Sequence, residues 1–390
     1  MNNLKTKKII KQEQSKVNSS SQKNYITDTG EVLVDNTRKG KKYDWAGMKQ
    51  GSLKIAGLFA KARERNPEVI SAVSLQRIQE CSDVLTFKVD LDTGERKLNK
   101  IYTCKNKFCP QCSHRKGLLM FHQMSRVMDR VFELYPDAAP ILLTFTTKNV
   151  TASEISREVD RYTKTFSKIF SDKRGLPEGK KLRQSVLGTQ RTVETSLNYK
   201  AVKAGRDDIF HIHMHVLAIM DGSYFDKDNY LTQKDFQELW KKAAQLDYDP
   251  IVDVRRVKGK GNNLRKAICE VSKYPVKPMN FSKLSEEQAI DILSALQIGL
   301  FNRRLVSYTG IIRKIRAELK LEDIEKADLL KVGDEEEDDE NARVEYHVFR
   351  WSFSLREYVC LPYDVVKSQD KEYFREKRRE KILKIYGLTG

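Results

Sequence analysis

Three histidines alternate along Phe210-His211-Ile212-His213-Met214-His215-Val216-Leu217, half of the six in the chain. On a strand, Phe210, Ile212, Met214, Val216 and Ala218 share an apolar face and the three imidazoles share the other. Alternate residues lie ~6.6–7 Å apart, so neighbouring imidazoles can converge on one ion, whereas His211 and His215, ~13 Å apart, cannot. One ion therefore takes one adjacent pair, with the third histidine in an outer position or on a ligand. If residues 185–197 and 209–220 form a hairpin centred near Lys203, Glu194 falls close to His211 and His213. A carboxylate beside imidazoles suits Mg²⁺ or Mn²⁺ in a site left open for a phosphate oxygen. The plain alternatives are a buried structural histidine row and a surface glutamate.

A second constellation is Ile268-Cys269-Glu270-Val271-Ser272-Lys273-Tyr274-Pro275-Val276-Lys277. On a helix Glu270 and Tyr274 are i,i+4 neighbours and share a face, and Pro275 places Tyr274 at the helix end. A tyrosine can attack a phosphodiester, but a phenol of pKa ~10 needs help from a metal or from a lysine such as Lys273. Glu270 is a candidate base, for water or for the phenol. The E-x-x-x-Y spacing alone also describes many ordinary helix surfaces.

Four of the six cysteines fall between residues 81 and 112. Cys109-Pro-Gln-Cys112 has the knuckle spacing of structural zinc sites, and Cys104 stands five residues earlier. A hairpin turning at Asp92-Thr93-Gly94 sets Cys81 opposite Cys104. Four thiolates favour tetrahedral Zn²⁺ with no open position, hence a structural site; His114 in place of Cys81 is the alternative. Cys269 and Cys360 are expected in the core.

These residues need elements to position them. Ile141–Thr147 reads as a strand, and Thr151–Glu154 as a capping box opening a helix. Two β-rich stretches, a helix, a strand near residues 251–257 and a helix over 262–274 follow. This order predicts an α+β fold, an antiparallel sheet with helices on one face, preceded by a zinc-binding hairpin and knuckle. A mainly helical C-terminal region follows, although residues 346–358 alternate like a strand. The expected organisation is a disordered basic tail over 1–44, helices with the four-cysteine zinc module over 45–133, the domain of the histidine strand and the tyrosine helix over 134–310, and a basic C-terminal region over 311–390. That last region carries the acidic run 334–340, read as a solvated loop.

Composition points to the partner. The chain has 390 residues with 72 Lys and Arg against 54 Asp and Glu, a formal charge of +18. Such an excess favours a polyanion through counterion release, and nucleic acid is the default. Lys258, Lys260 and Lys277 are candidate phosphate contacts. No run approaches the ~20 apolar residues of a membrane helix, so a cytoplasmic protein with no membrane partner is expected.

The H-x-H-x-H-V-L run, the downstream E-V-x-K-Y, the strand Leu142-Leu143-Thr144-Phe145-Thr146-Thr147-Lys148-Asn149 and Cys109-Pro-Gln-Cys112-x-x-Arg115 together resemble rolling-circle plasmid replication initiators. They are similar to the single-tyrosine Rep branch of the HUH endonucleases over about residues 50–320. The resemblance implies that His213 and His215 are the metal pair and His211 the accessory histidine. It also implies that Tyr274 cuts one strand of the plasmid double-strand origin, presented single-stranded or as a hairpin, and stays on the 5′ phosphate. The 3′ hydroxyl left behind would prime a host DNA polymerase, working with a host helicase, and Glu270 would activate the terminating water. The competing readings are a transposase or mobilisation nickase of the same superfamily, and a non-catalytic zinc-containing DNA-binding regulator.

Overall fold

The histidine segment Phe210–Met220 is the middle strand of a five-stranded antiparallel sheet. The computed structural model describes residues 31–35, 43–171, 175–226, 228–257, 261–273, 283–327, 329 and 344–361. Numbered along the chain, its strands are β1 (Val84–Asp90), β2 (Arg96–Ile101), β3 (Ala139–Thr146), β4 (Val186–Leu197), β5 (Phe210–Met220), β6 (Val252–Arg256), β7 (Val306–Thr309), β8 (Val344–Ser352) and β9 (Glu357–Leu361). They form two sheets, in the orders β6-β3-β5-β4-β7 and β2-β1-β8-β9. The chain divides into two compact units, one drawn from Ile55–Ser71 and Lys105–Glu335, the other from Met1–Lys54, Ala72–Cys104 and Glu336–Gly390.

In the larger unit, β4 and β5 pair from Leu197↔Phe210 back to Val186↔Met220, so the expected hairpin forms. On one face of the sheet Phe145, paired with Met214, stacks on Trp240 at 4.7 Å, and Tyr162 packs against the same indole at 5.1 Å. These rings bring the helices Ile155–Phe170 and Gln233–Ala244 onto that face. Burying aromatic side chains of this size is worth roughly 1.5–3 kcal/mol each.

The opposite face carries the histidines, and here the expectation of helices on one face only is corrected. Leu142, Leu217 and Ile219 lie on the histidine side and are buried in a cluster with Met124, Val131, Ile268, Val271, Ile312 and Ile315. Three helices, Pro110–Leu134, Asn262–Ser272 and Gly310–Glu318, therefore cover this face beyond the imidazoles. The physical reason lies in β5 itself: after His215 its outer positions turn apolar and need a cover. The histidines are left where that cover ends.

In the smaller unit, the strand-like residues 346–358 of the C-terminal region fall on two strands, and residues 362–390, where its helical end is expected, lie outside the described residues. β8 pairs with β1 from Val84↔Arg350 to Asp90↔Val344 and with β9 beyond it. Leu85, Phe87, Phe349, Trp351 and Tyr358 form its core together with Trp45 and Leu33. The alternating residues 346–358 thus complete a sheet begun some 250 positions earlier, because β1 alone would leave Leu85 and Phe87 uncovered. Within the expected disordered tail 1–44, residues 31–35 instead lie along β9, with Leu33 N donating to Tyr358 O at 2.9 Å and Cys360 N to Glu31 O at 2.9 Å. Residues 1–30 and 36–42 and the acidic run 334–340 lie outside the described residues. Among the described residues, no helix is long and apolar enough to cross a membrane.

Candidate metal and nicking site

Strand register decides which side chains meet. Glu194 pairs with His213 across β4 and β5, and Thr192 pairs with His215. Glu194 Oε2 lies 3.2 Å from His213 Nε2, and Glu194 Oε1 lies 3.8 Å from His215 Nε2. The carboxylate is fully buried and both histidines are 6% exposed. One ligand atom from each residue lies within 4.8 Å of the others. Ligands around a small divalent ion sit roughly 3–4 Å from one another, so the spacing fits such an ion. The donor set fits it as well: a buried carboxylate is costly without a cation, and an imidazole nitrogen can offer a lone pair to one. His213 also has a buried Nδ1 that makes no hydrogen bond.

The expectation placed Glu194 close to His211 and His213; the observed partners are His213 and His215. His211 stands outside the group, ring-stacked on His213 at 5.2 Å between centroids, with Nδ1 3.2 Å from Asn149 Oδ1. The pairing is centred between Lys203 and Ala204 rather than on Lys203, which moves Glu194 one step along β5, from opposite Ile212 to opposite His213. Thr144, on β3, fixes the other side: its hydroxyl is 3.0 Å from His215 Nδ1. A partner on Nδ1 sets the tautomer and aims Nε2 into the site.

The helix Asn262–Ser272 brings Glu270 to this place. Glu270 Oε1 lies 3.6 Å from His215 Nε2, its side chain one-third exposed, and its other oxygen accepts from Lys273 Nζ. The helix end is tied to the sheet by one carbonyl: Val271 O accepts from Gln190 Nε2 at 2.9 Å and from Thr192 Oγ1 at 2.7 Å. Both donors lie on β4 in the row that carries Glu194. Helical geometry ends at Ser272, and Lys273 leaves it with φ −57° and ψ 129°. Tyr274, Lys258, Lys260 and Lys277 lie outside the described residues.

The cysteine prediction concerns a second cluster. Cys81, Cys104, Cys109 and Cys112 are all buried, and their sulfurs lie within 4.8 Å of one another. The β1–β2 hairpin, turning at Gly94 with φ +71°, brings Ser82 N to Tyr102 O at 2.8 Å and Cys104 N to Cys81 Sγ at 3.4 Å. Four sulfurs at this spacing fit one tetrahedral ion, and His114 is not among them. Cys269 is exposed and Cys360 half-buried, not core as expected. Sequence reading missed Lys49, whose fully buried ammonium donates to Gln79 O and Cys81 O at 2.8 Å and to Asp83 at 2.5 Å. Those three acceptors hold the segment that carries Cys81, and no periodicity could have marked it.

Residues 95–359, more than half of the chain, match the family described as replication protein. The chain belongs to this family. Among its relatives is a Protein rep of Streptococcus pneumoniae serotype 2, 31% identical over 84% of this chain and 95% of its own length. A Protein rep of Bacillus amyloliquefaciens is 34% identical over 84% of this chain and 97% of its own. A Replication protein of Staphylococcus aureus is 34% identical over 59% of this chain and 94% of its own. No solved structure matches the chain. In this replication protein, the family that the histidine, tyrosine and cysteine motifs resemble is therefore the family that residues 95–359 match.

Proposed function

We propose that this replication protein initiates plasmid replication by nicking one strand of the double-strand origin, with Tyr274 as nucleophile and a divalent ion held by His213, His215 and Glu194. The observation that supports it most is the convergence of three elements on one point. The imidazole pair of β5, the carboxylate of β4 and Glu270 of the helix that leads to Tyr274 all meet around His215 Nε2.

Mg²⁺ or Mn²⁺ bound there would polarise the scissile phosphate and stabilise the charge that develops on its oxygens. The rest falls to the chain. Tyr274 Oη attacks phosphorus, the bond to the 3′ oxygen breaks, and the products are a 5′-phosphotyrosine and a 3′ hydroxyl. The phenol proton leaves to solvent, and the departing oxygen takes one up. Lys273 sits beside Glu270 and places positive charge next to the anion that forms. The 3′ hydroxyl then primes a host polymerase behind a host helicase. Lys258, Lys260 and Lys277 are the proposed phosphate contacts, and the proposed nicking domain is residues 134–310.

Glu270, partly open to solvent, is placed to deprotonate the water that ends the cycle. In a nicking assay on supercoiled origin DNA, Glu270→Ala is expected to cleave first strands at near wild-type rate. The terminating hydrolysis should slow by about 10²–10⁴-fold, the usual worth of a general base, so covalent and multimeric products accumulate. Equal loss of both steps would contradict the assignment.

The four cysteines are proposed to hold one structural Zn²⁺. Full-length protein purified without chelator should contain about one zinc by elemental analysis. Cys112→Ser should lose it and melt earlier, because the ion's binding energy is folding energy. Protein that folds normally without zinc would contradict this.

A further inference from the structure

Beside the edge strand β7 lies a cavity of about 480 Å³ whose lining is largely basic. Lys105, Lys107, Arg303, Arg304 and Lys326 contribute five cations, Asp323 and Glu325 two carboxylates. Both carboxylates are engaged, Asp323 by Arg304 at 2.8 Å and Glu325 by Lys116 at 2.9 Å. Arg303 is held by both oxygens of Asp160 at 3.1 Å. The three lysines differ. Lys105 donates to Lys326 O at 2.9 Å and Lys107 to Leu300 O at 2.9 Å, and among the described residues none of the three has a carboxylate in an ion pair. Burial holds the Lys107 ammonium below the ordinary lysine range, with Lys116 and Arg303 pushing the same way against Glu325. An entering anion would relieve all of these.

Phe301 also lines the cavity and is 62% exposed. An aromatic ring open to solvent among such lysines is the pairing that single-stranded nucleic acid uses, bases on rings and phosphates on cations. The volume suits one nucleotide and not a duplex. Position supplies the rest. Thr192 pairs with Val306, and Val193 N donates to Leu305 O at 2.9 Å, so Arg304 stands next along the row of Glu194 and His213. Two strand spacings, ~10 Å, separate that edge from the histidines.

We propose that this cavity binds one nucleotide of single-stranded DNA adjoining the scissile phosphodiester, its phosphate on Lys105, Lys107 and Lys326 and its base on Phe301. The proposal rests on the nicking reading for its location but not for its chemistry. The test is fluorescence anisotropy of a labelled oligodeoxythymidine on the full-length protein with no Mg²⁺ or Mn²⁺ added, across a salt series. Phe301→Ala should weaken binding about tenfold, and Phe301→Trp, which keeps a stacking face, should restore it. Lys326→Gln should lower the slope of log affinity against log salt by about 0.7, one phosphate's worth on a single strand. Wild-type affinity in Phe301→Ala, failure of Phe301→Trp to restore binding, or an unchanged slope would each overturn the proposal. Thymidine monophosphate competing as well as the oligonucleotide would also overturn it, in favour of a free-nucleotide site. A chain that binds in this Phe301-dependent way but never nicks supercoiled DNA would sink the nicking reading and leave the cavity standing.

Discussion

Changing His213 and His215 together to alanine is expected to reduce strand cleavage to background, a loss of roughly 10²–10⁴-fold or more, while leaving DNA binding. The size follows from removing two of three ligands of an ion that stabilises developing charge by several kcal/mol. Binding should persist because it depends on the +18 excess, and it should keep its steep fall with salt. His211→Ala should cost much less, since His211 stands outside the three-residue group and bonds Asn149. The measurement is nicking of supercoiled DNA at saturating Mn²⁺ beside a filter-binding salt series. A double variant that nicks at the wild-type rate would make the histidine row structural.

Tyr274→Phe carries the second large effect. It removes one oxygen and little volume, so folding should survive apart from a hydrogen bond worth ~1 kcal/mol. Without that oxygen no phosphotyrosine forms, and cleavage with its covalent adduct should vanish together. Origin binding should stay near wild type, and thermal melting should shift little. Residual cleavage without adduct would point to water as the nucleophile instead.

The histidine site was legible because it depends on periodicity. A period of two put the three imidazoles on one face, and a hairpin put Glu194 near them, one register step from where it stands. The i,i+4 spacing likewise marked Glu270, whose approach to His215 no spacing could reveal. What stayed hidden rests on long-range pairing and single hydrogen bonds. β8 meets β1 across some 250 residues, so its alternation could not be given a partner. Leu217 and Ile219 sit on the histidine face, yet an apolar run on a central strand does not say which helices cover it. Thr144 on His215, Gln190 and Thr192 on Val271, and Lys49 beneath Cys81 each act through one or two hydrogen bonds. Residues of these types are common throughout the sequence, and only the fold sets these apart.

The most direct test of the nicking chemistry is to trap the adduct and read both of its ends. A single-stranded oligonucleotide spanning the origin nick is incubated with full-length protein and Mn²⁺, the complex is digested, and the DNA-linked peptide is sequenced by mass spectrometry. The expected result is a peptide in which Tyr274 carries the 5′ phosphate of the downstream strand, while the upstream fragment ends in a 3′ hydroxyl. Linkage to a different one of the 16 tyrosines, or efficient cleavage with no protein–DNA bond, would contradict it.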